Sequence, residues 1–538
     1  MPKTAKTKYI FVTGGVLSGL GKGITAASIG NLLKSRGLRV NMQKFDQYIN
    51  VDAGTLNPAE HGEVFVTDDG GETDLDLGHY ERFLNQNLTA DSSVMTGEIY
   101  QSVIDRERRG EYLGKTVQVI PHLTDQVKNR AHQAAASAKY DVHIVEIGGT
   151  VGDNEGFHFI EAARQMKLDL GPDNVLYVHV VFLPYLKASA EVKTKPAQNS
   201  VRELRSIGIQ PDILIARADH EVADNIVNKL SLYTNVEPKA ILPLVTASTV
   251  YEVPHTMEKN KLDEVIIEKL KLTPSKRNNR DWDKLLAIIK KPKKQCSIAM
   301  VGKYTSMLDT YASVIEALKA ASWHNNRDIN IRWVDAEDIE KNKPEDFLQD
   351  IAGLVVPGGF GVRGTAGIMQ AIQYTREQKI PYLGLCYGLQ LAVIEFARHV
   401  ANIPQATSEE FGEQEGASCV VHIMSDQKTI TDKGGTMRLG GWDCVLDKNS
   451  FSYQAYKKTK IRERHRHRYE VNNEFRQQLE SAGLLIAGTT PDKKLVEIIE
   501  IPDHPWFVGV QFHPEFTSRP TTGHPLFNAF IKAAKSYQ

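Results

Sequence analysis

The fold class follows from residues 9–23, which read YIFVTGGVLSGLGKG. Residues 9–12 are a short apolar run typical of a buried strand, and a glycine-rich turn follows them. Residues 24–34 have helical composition and end before Gly37, a residue type that often terminates helices. This order of strand, loop and helix predicts the opening of a doubly wound α/β sheet with parallel strands.

Strands alternate with helices in both halves of the chain. Further N-terminal strands are predicted at residues 40–45, 142–147, 175–182 and 213–216. C-terminal strands are predicted at residues 296–301, 329–334, 354–356, 382–385, 419–423 and 495–501. A polar, basic connector at 273–296 separates the halves and contains an amphipathic stretch around Trp282. We therefore predict an N-terminal domain at 1–272 and a C-terminal α/β domain at 297–538.

Composition limits the class of protein. The 538 residues are 41% hydrophobic and 24% charged, which is typical of globular proteins, and the net charge is −1. A neutral chain has no general attraction for nucleic acid or anionic membranes. No apolar run approaches the roughly 20 residues of a membrane span. The four cysteines show no metal-binding spacing, so we expect a protein of the reducing cytoplasm.

A phosphate-binding loop is the first candidate site. Residues 14–23 lie between a predicted strand and helix, where backbone N–H groups can surround phosphates and Lys22 can reach them. The usual pattern has a magnesium-binding hydroxyl where Gly23 stands here. Glu146 near the end of a strand, and Asp74 and Asp76 in a glycine-flanked loop, are candidate magnesium ligands. The alternatives are an ordinary glycine-rich turn and a solvated acidic turn.

A second candidate site centres on Cys386, which glycines flank at a predicted strand-to-helix junction. This pattern is typical of a nucleophile on a tight turn, although a cysteine in an apolar strand is more often an inert core residue. His513 and Glu515 are two residues apart, so on one strand they would share a face and form a base with its orienting carboxylate. The loop 357–361 offers backbone N–H groups for an oxyanion hole. Together these segments indicate acyl transfer.

These motifs resemble those of the CTP synthase family over nearly the whole chain. The segments that carry the resemblance are 9–23, 44–58, 61–67, 72–83, 117–122, 148–153, 191–198, 464–473 and 511–517. The resemblance implies a synthetase half and a class I glutamine amidotransferase half. It implies ATP-dependent amination of UTP to CTP through a 4-phosphorylated UTP and a Cys386 glutamyl thioester, in the final steps of pyrimidine nucleotide biosynthesis.

The resemblance also implies roles for individual residues. The implied ATP contacts are Ser18, Gly19, Leu20, Gly21, Lys22, Gly23, Ile24, Lys44 and Asp76. The implied UTP and CTP contacts are Ser18, Asp153, Asn154, Glu155, Lys193, Thr194, Lys195, Pro196, Ala197, Gln198 and Lys229. The implied glutamine contacts are Gly359, Leu385, Gln390, Glu410 and Arg468. The implied Mg²⁺ ligands are Asp76 and Glu146, and the implied catalytic triad is Cys386, His513 and Glu515.

The resemblance also implies how the protein is regulated and how its subunits assemble. It implies activation by GTP, inhibition by CTP, and a homotetramer that can form filaments. Asn154 and Gly156 depart from the usual family residues beside the CTP contacts. Ala366 stands where many members carry glutamate, near the expected GTP site, whereas Arg438 matches the family's lid over that site. Two alternatives are another amidoligase, such as a cobyric-acid-type synthase, and a non-catalytic nucleotide sensor.

Overall fold

The computed structural model describes residues 7–305, 307–412, 416–430 and 434–538. The chain divides into two compact units. The first unit comprises the chain up to Asp52 together with Asp76–Arg280, and the second comprises Ala53–Leu75 together with Asp281–Gln538. Residues 53–75 thus pack with the second unit although they lie inside the predicted first domain. The predicted domain limits stay a prediction.

A seven-stranded sheet forms the centre of the first unit, and all its neighbouring strands are parallel. In spatial order the strands are Ile241–Val245, Ile213–Ala218, Val175–Phe182, Lys8–Gly14, Val142–Ile147, Val40–Asp46 and Ser93–Met95. Lys8–Gly14 is central, and its Ile10, Phe11 and Val12 are fully buried because helices cover both faces of the sheet. The predicted doubly wound parallel sheet is confirmed.

The helices of the first unit alternate with these strands. They are Lys22–Ser35, Asp76–Leu84, Thr96–Arg108, Thr124–Ala136, Phe157–Leu170, Lys195–Ser206, Asp224–Thr234, Val253–Lys259 and Leu262–Leu270. A short antiparallel pair, Tyr185–Leu186 with Glu191–Val192, lies outside the main sheet. The next strands along the chain are added to the sheet on one side of Lys8–Gly14, and the later strands are added on its other side. This reversal creates a switch point at the carboxyl edge, where ligands bind in such folds.

A nine-stranded mixed sheet forms the centre of the second unit. In spatial order its strands are Arg327–Asp335, Lys294–Gly302, Gly353–Val356, Tyr382–Leu385, Phe507–Val510, Val496–Glu500, Leu485–Thr489, Arg438–Leu446 and Lys460–His467. The first five are parallel to one another, and the remaining pairs are antiparallel. Ala406–Ser408, Ser418–Ile423 and Tyr469–Val471 form a smaller sheet. This confirms an α/β fold for the C-terminal half.

The helices of the second unit cover both faces of its main sheet. They are Pro58–His61, Ala312–His324, Ala336–Lys341, Pro344–Leu348, Thr365–Glu377, Tyr387–His399, Phe451–Tyr456, Arg476–Ser481 and Pro525–Tyr537. Helix Arg280–Lys290 lies within the predicted connector, and its Trp282, Leu285 and Leu286 are buried. Two core clusters pack on the sheet, one around Leu389 and Ile394, the other around Phe527 and Phe530. Within the described ranges, no helix is both long and apolar enough to cross a membrane.

Candidate active sites

The phosphate loop of the first unit joins strand Lys8–Gly14 to helix Lys22–Ser35. Ser18 and Gly19 are exposed, so the loop is open to a ligand. Gly21, directly before the helix, has φ +89°, a left-handed conformation that glycine adopts without steric cost. No side chain of the N-cap residue bonds to the start of the helix. The first backbone N–H groups of a helix have no intrahelical partner, and together with the positive end of the helix dipole they attract phosphate.

Lys22 is buried at the start of this helix. Its Nζ donates to the carbonyl oxygen of Gly149 at 2.8 Å, on the loop that follows strand Val142–Ile147. Burial lowers the pKa of Lys22, and the attraction of Glu146 opposes that shift. The side chain is thus largely desolvated at the carboxyl edge of the sheet, beside the phosphate loop.

Two carboxylates, Asp76 and Glu146, lie beside the phosphate loop. Lys44 forms ion pairs with both, at 3.5 Å from Glu146, and Tyr80 donates a hydrogen bond to Glu146. Burial raises the pKa of Glu146 to about 7, although Lys44 acts in the opposite direction. A Cβ atom added at Gly23 would contact Asp76 Oδ1, so any larger residue there would displace that carboxylate.

Asp76 and Glu146 suit Mg²⁺, which binds through one or two carboxylates and leaves its other positions to water and phosphate oxygens. In the described ranges, no group of three or more His, Cys, Asp or Glu side chains forms a complete protein-only metal site. A site in which phosphate oxygens of a nucleotide supply the remaining Mg²⁺ ligands agrees with that finding. The donor set therefore fits Mg²⁺ bound with a nucleotide.

The residues that the resemblance implies for UTP and CTP lie on four segments of the first unit, one of which is the phosphate loop with Ser18. Lys193 pairs with Glu191, and Thr194 Oγ1 accepts from Gln198 Nε2 at 3.0 Å at the start of helix Lys195–Ser206. Lys229 is exposed on helix Asp224–Thr234. The fourth segment is the turn at Asn154–Gly156, where Asp153 accepts from the backbone N–H of Thr150.

A buried histidine, His179, connects strand Lys8–Gly14, which leads into the phosphate loop, to helix Lys195–Ser206. Its Nδ1 lies 2.9 Å from Thr13 Oγ1, and its Nε2 lies 2.8 Å from Ser200 Oγ. The sequence does not predict this contact, because a histidine within an apolar strand has no distinguishing local pattern. Nor does it predict a cavity of about 180 Å³ that adjoins Gly21 and Ile24.

The cysteine turn of the second unit joins strand Tyr382–Leu385 to helix Tyr387–His399. Cys386 has φ +50° and ψ −93°, a strained conformation for a residue with a side chain. A Cβ at Gly388 would lie 2.4 Å from the carbonyl oxygen of Val356, so that residue must be glycine. The tight turn places Cys386 in the lining of a cavity of about 70 Å³.

His513 and Glu515 lie on the same cavity as Cys386. The strand ends at Val510, and both residues lie in or beside the short helical turn Pro514–Thr517. The expectation that they share one strand is therefore wrong. The turn nevertheless brings His513 Nδ1 within 2.7 Å of Glu515 Oε1.

The His513 imidazole is buried and strongly basic. Burial lowers its pKa, but attraction to Glu515 and to the Cys386 sulfur outweighs burial and raises the pKa of His513 to about 10. Its Nε2 has no hydrogen-bond partner among the residues that the structure describes. The ring therefore carries a proton at neutral pH and has one nitrogen available to a ligand.

The loop 357–361, called the oxyanion loop after its predicted role, borders the cavity through Gly358, Gly359 and Phe360. Lys303 Nζ donates to the carbonyl oxygen of Phe360 at 2.9 Å, and Gly361 N–H donates to Glu410 Oε1 at 2.7 Å. Burial lowers the pKa of Lys303 to about 8. These contacts hold the loop in one conformation, with Glu410 supporting its backbone.

Three other implied glutamine contacts, Leu385, Gln390 and Arg468, lie elsewhere in the second unit. Gln390 Nε2 donates to the carbonyl oxygen of Tyr469 at 3.0 Å. Arg468 donates to Gln427 at 2.7 Å and to Thr436 at 2.9 Å. Leu385 is buried at the end of its strand.

The basic run 464–468 belongs to the interior of the second unit. Arg464 is fully buried, and its carbonyl oxygen accepts from His513 N–H at 2.7 Å. Arg466 Nε donates to Glu72 at 2.7 Å, and its carbonyl oxygen lies 3.7 Å from Cys386 Sγ. Arg464 and Arg466 thus support the cysteine site through their backbone carbonyl groups, which the charge of the run alone does not reveal.

Arg438, the expected lid residue, is also buried. It donates to Glu497 at 2.7 Å and lies 3.3 Å from His467 Nε2. Glu497 also contacts His465 Nε2 at 2.8 Å. This arginine therefore anchors strand Arg438–Leu446 within the sheet.

The segment 53–75 contributes to the cysteine cavity as well. Pro58, Glu63 and Val64 line it, and Glu63 accepts from Ser313 N–H at 3.1 Å. The sequence analysis predicts no such contact. The residues are 250 positions apart in the chain, and no local pattern connects them.

Comparisons with known proteins cover both units. A family model described as CTP synthase N-terminus matches residues 8–272, and one described as glutamine amidotransferase class-I matches residues 306–533. The chain is 54% identical over 528 residues to a CTP synthase of Carboxydothermus hydrogenoformans, covering 98% of each chain. It is 54% identical to a CTP synthase of Dehalococcoides mccartyi over 98% of this chain and 97% of the other.

One solved structure among those similar to this chain is the Trypanosoma brucei CTPS glutaminase domain with bound acivicin. It is 37% identical, with a TM-score of 0.42, and the match covers 45% of this chain and 94% of that domain.

Proposed function

Because the chain belongs to the CTP synthase family, we propose that it aminates UTP to CTP by way of a 4-phosphorylated UTP, with ammonia released at Cys386. It is a ligase with a glutamine amidotransferase domain. One observation carries the proposal. The chain is similar to CTP synthases over 98% of its length, and it contains both the phosphate loop and the cysteine site. The family assignment disfavours the two alternatives, another amidoligase and a non-catalytic sensor.

Phosphorylation comes first because the 4-oxygen of uracil is a poor leaving group. The γ-phosphoryl group of ATP passes to O4 of UTP, and ADP leaves. Lys22 and Lys44 offset the charge on the transferred group and hold the phosphates in line. Asp76 and Glu146 would hold Mg²⁺, which supplies further positive charge next to the phosphates. Ammonia then forms the bond to C4 of the uracil ring, and the C4–O4 bond breaks to release phosphate.

Ammonia comes from glutamine at the second site. The Cys386 thiolate attacks the side-chain amide carbon, and the backbone N–H group of Gly359 stabilises the oxyanion. His513 gives its proton to the departing ammonia, which leaves a thioester on Cys386. The neutral imidazole then takes a proton from water, which hydrolyses the thioester to glutamate. The raised pKa of His513 agrees with this role, because the proton is already in place before attack.

Regulation by GTP and CTP is part of the proposal and follows from the family. Asp153, Asn154 and Glu155 follow the strand of Glu146 and are the proposed CTP contacts. Arg363 lies near the proposed GTP site, where it contacts Glu337 at 2.6 Å and the carbonyl oxygen of Lys303 at 2.7 Å. Since Lys303 holds the oxyanion loop, a nucleotide that displaces Arg363 acts on glutamine hydrolysis.

A homotetramer in the cytoplasm is the proposed state of the enzyme. The first unit exposes Ile49, Ile104 and Leu113, large apolar side chains that a subunit interface would bury. Filament formation is proposed from the family alone. All four cysteines are free thiols, which agrees with a reducing compartment.

An absorbance assay for conversion of UTP to CTP tests the proposal. It uses ATP, Mg²⁺ and either glutamine or ammonia, with and without GTP. We expect CTP formation that requires ATP and either nitrogen source, and faster glutamine-dependent turnover with GTP. No CTP from either source would contradict the function, and no response to GTP would contradict only the proposed activation.

A further inference from the structure

Gln511 contacts the sulfur atom of Cys386. It directly follows strand Phe507–Val510 and is fully buried. Its Nε2 lies 3.6 Å from Cys386 Sγ, and its backbone N–H donates to the carbonyl oxygen of Glu497 at 2.8 Å. The side chain therefore approaches the reacting atom from the sheet, supported by the neighbouring strand Val496–Glu500.

Neighbouring groups determine which end of the Gln511 amide faces the sulfur. The carbonyl oxygen of Tyr469 can only accept, so Gln390 must direct its NH₂ group towards it, at 3.0 Å. The same NH₂ group lies 3.5 Å from Gln511 Oε1, which accepts from it. Gln511 is left with its own NH₂ group directed at Cys386. A reversed Gln511 amide would set two donors against each other.

The two forms of the Cys386 side chain need different partners. A neutral thiol can donate to the carbonyl oxygen of Arg466, which lies 3.7 Å from Sγ. A thiolate has no proton to donate and is stabilised by donors. Hydrogen bonds to a charged group are stronger than those between neutral groups. A donor at this position therefore favours the thiolate over the thiol.

We propose that Gln511 is a catalytic residue of glutamine hydrolysis, donating a hydrogen bond to the Cys386 thiolate that attacks the substrate amide. This inference rests on the proposed role of Cys386 as nucleophile. His513 supplies the positive charge and the mobile proton, whereas Gln511 supplies a neutral donor that never titrates. Gln390 holds the Gln511 amide in place and is a positioning residue for this contact.

Other titratable groups also line the cavity around the sulfur. His513 and Glu515 reach the cavity from the turn after the last strand, Arg466 from strand Lys460–His467, and Glu63 from segment 53–75. Tyr304 and Tyr311 complete the titratable lining. Substitution of Gln511 leaves all of these groups in the chain, so a change in the pH profile reports the lost donor.

The test compares Gln511→Met and Gln511→Glu with a matched control, Gln477→Met, at an exposed position on helix Arg476–Ser481. Methionine keeps the unbranched shape and removes the donor, and ionised glutamate replaces the donor with a negative charge. The full-length enzyme is alkylated with iodoacetamide across a pH series, and mass spectrometry follows the peptide that contains Cys386. The kcat/KM for glutamine is measured in parallel.

We expect the alkylation profile of Cys386 to move to higher pH in both Gln511 variants, further in Gln511→Glu, and not in the control. The kcat/KM for glutamine should fall about ten-fold to a hundred-fold at neutral pH, as loss of a hydrogen bond to a charged group predicts. A packing role alone would not move the pH profile. An unchanged profile in both variants overturns the inference.

Two further results separate this inference from the proposed function. If Cys386→Ala retains glutamine-dependent synthesis, the nucleophile assignment fails and the inference fails with it. If Cys386→Ala loses that activity while the Gln511 variants keep wild-type profiles, only the inference fails. Should thermal unfolding show that Gln511→Met is misfolded, the nearly isosteric Gln511→Glu decides the matter.

Discussion

The phosphate loop of the first unit and the cysteine turn of the second both join a parallel strand to a helix, but different forces maintain them. The phosphate loop is open, and beside it Lys44 forms ion pairs with both Asp76 and Glu146. The cysteine turn is closed, with close backbone packing at Gly388 and a 2.7 Å contact between His513 and Glu515. The phosphate site needs the charge of its substrate to complete it. The groups of the cysteine site are already in place before the neutral side-chain amide of the substrate binds.

The largest effect should come from Cys386→Ala. The substitution removes the nucleophile, so glutamine-dependent synthesis should fall by at least about a thousand-fold, as loss of a triad member does. Synthesis from added ammonia should continue, because ammonia does not need the cysteine. Both rates come from the absorbance assay. Loss of ammonia-dependent synthesis in a folded variant would contradict the independence of the two sites.

Lys22→Ala should abolish synthesis from either nitrogen source, because both need phosphorylated UTP. The lost cation stabilises charge during phosphoryl transfer, and we expect a fall of at least about a hundred-fold. Lys259→Ala, at an exposed position of the same unit, is the matched control. Glutaminase activity measured as glutamate release should persist in Lys22→Ala. Equal loss of glutamate release would show that the sites are not separable.

Glu515→Gln should lower glutamine-dependent turnover by roughly a hundred-fold, since the neutral amide no longer orients and stabilises the imidazolium. It should also change the pH dependence of stability. The pKa of His513 is raised to about 10 in the folded protein. The protonated ring therefore contributes fully to the free energy of unfolding below about pH 6.5, and this contribution is lost as pH rises towards 10.

Thermal unfolding midpoints at pH 6, 8 and 10 check that second expectation. The wild-type midpoint should exceed that of Glu515→Gln most at pH 6 and least at pH 10. A difference that grows as pH rises would contradict the protonated state assigned to His513.

The smallest effect is expected for Tyr80→Phe. The change removes the hydroxyl that donates to buried Glu146, and a hydrogen bond to a charged group is worth about 1.5–3 kcal/mol. Chemical denaturation should show this loss, and half-saturation by Mg²⁺ should need a higher concentration because the carboxylate is less firmly oriented. Glutamate release should stay at the wild-type rate. Unchanged stability would show that water replaces the hydroxyl.

Local sequence patterns predict much of both units. The apolar run at 9–12 and the glycines that follow it predict a strand and a phosphate loop, and the glycines around Cys386 predict a tight turn. Such signals depend on residues that are neighbours in the chain. His513 and Glu515 show the limit of this reasoning. Their spacing suggests a shared strand, but the chain leaves the sheet at Val510 and a helical turn brings the two side chains together.

The amino-acid sequence by itself determined the two α/β sheets, the phosphate loop and the cysteine turn, because hydrophobic periodicity and backbone sterics act over a few residues. Only the tertiary structure decided that segment 53–75 packs with the second unit, that Arg466 pairs with Glu72 across 394 positions, and that Gln511 contacts the sulfur of Cys386. Those contacts depend on how distant segments meet when the core is buried. Local sequence patterns do not reveal these contacts, because the residues are far apart in the chain and become neighbours only when it folds.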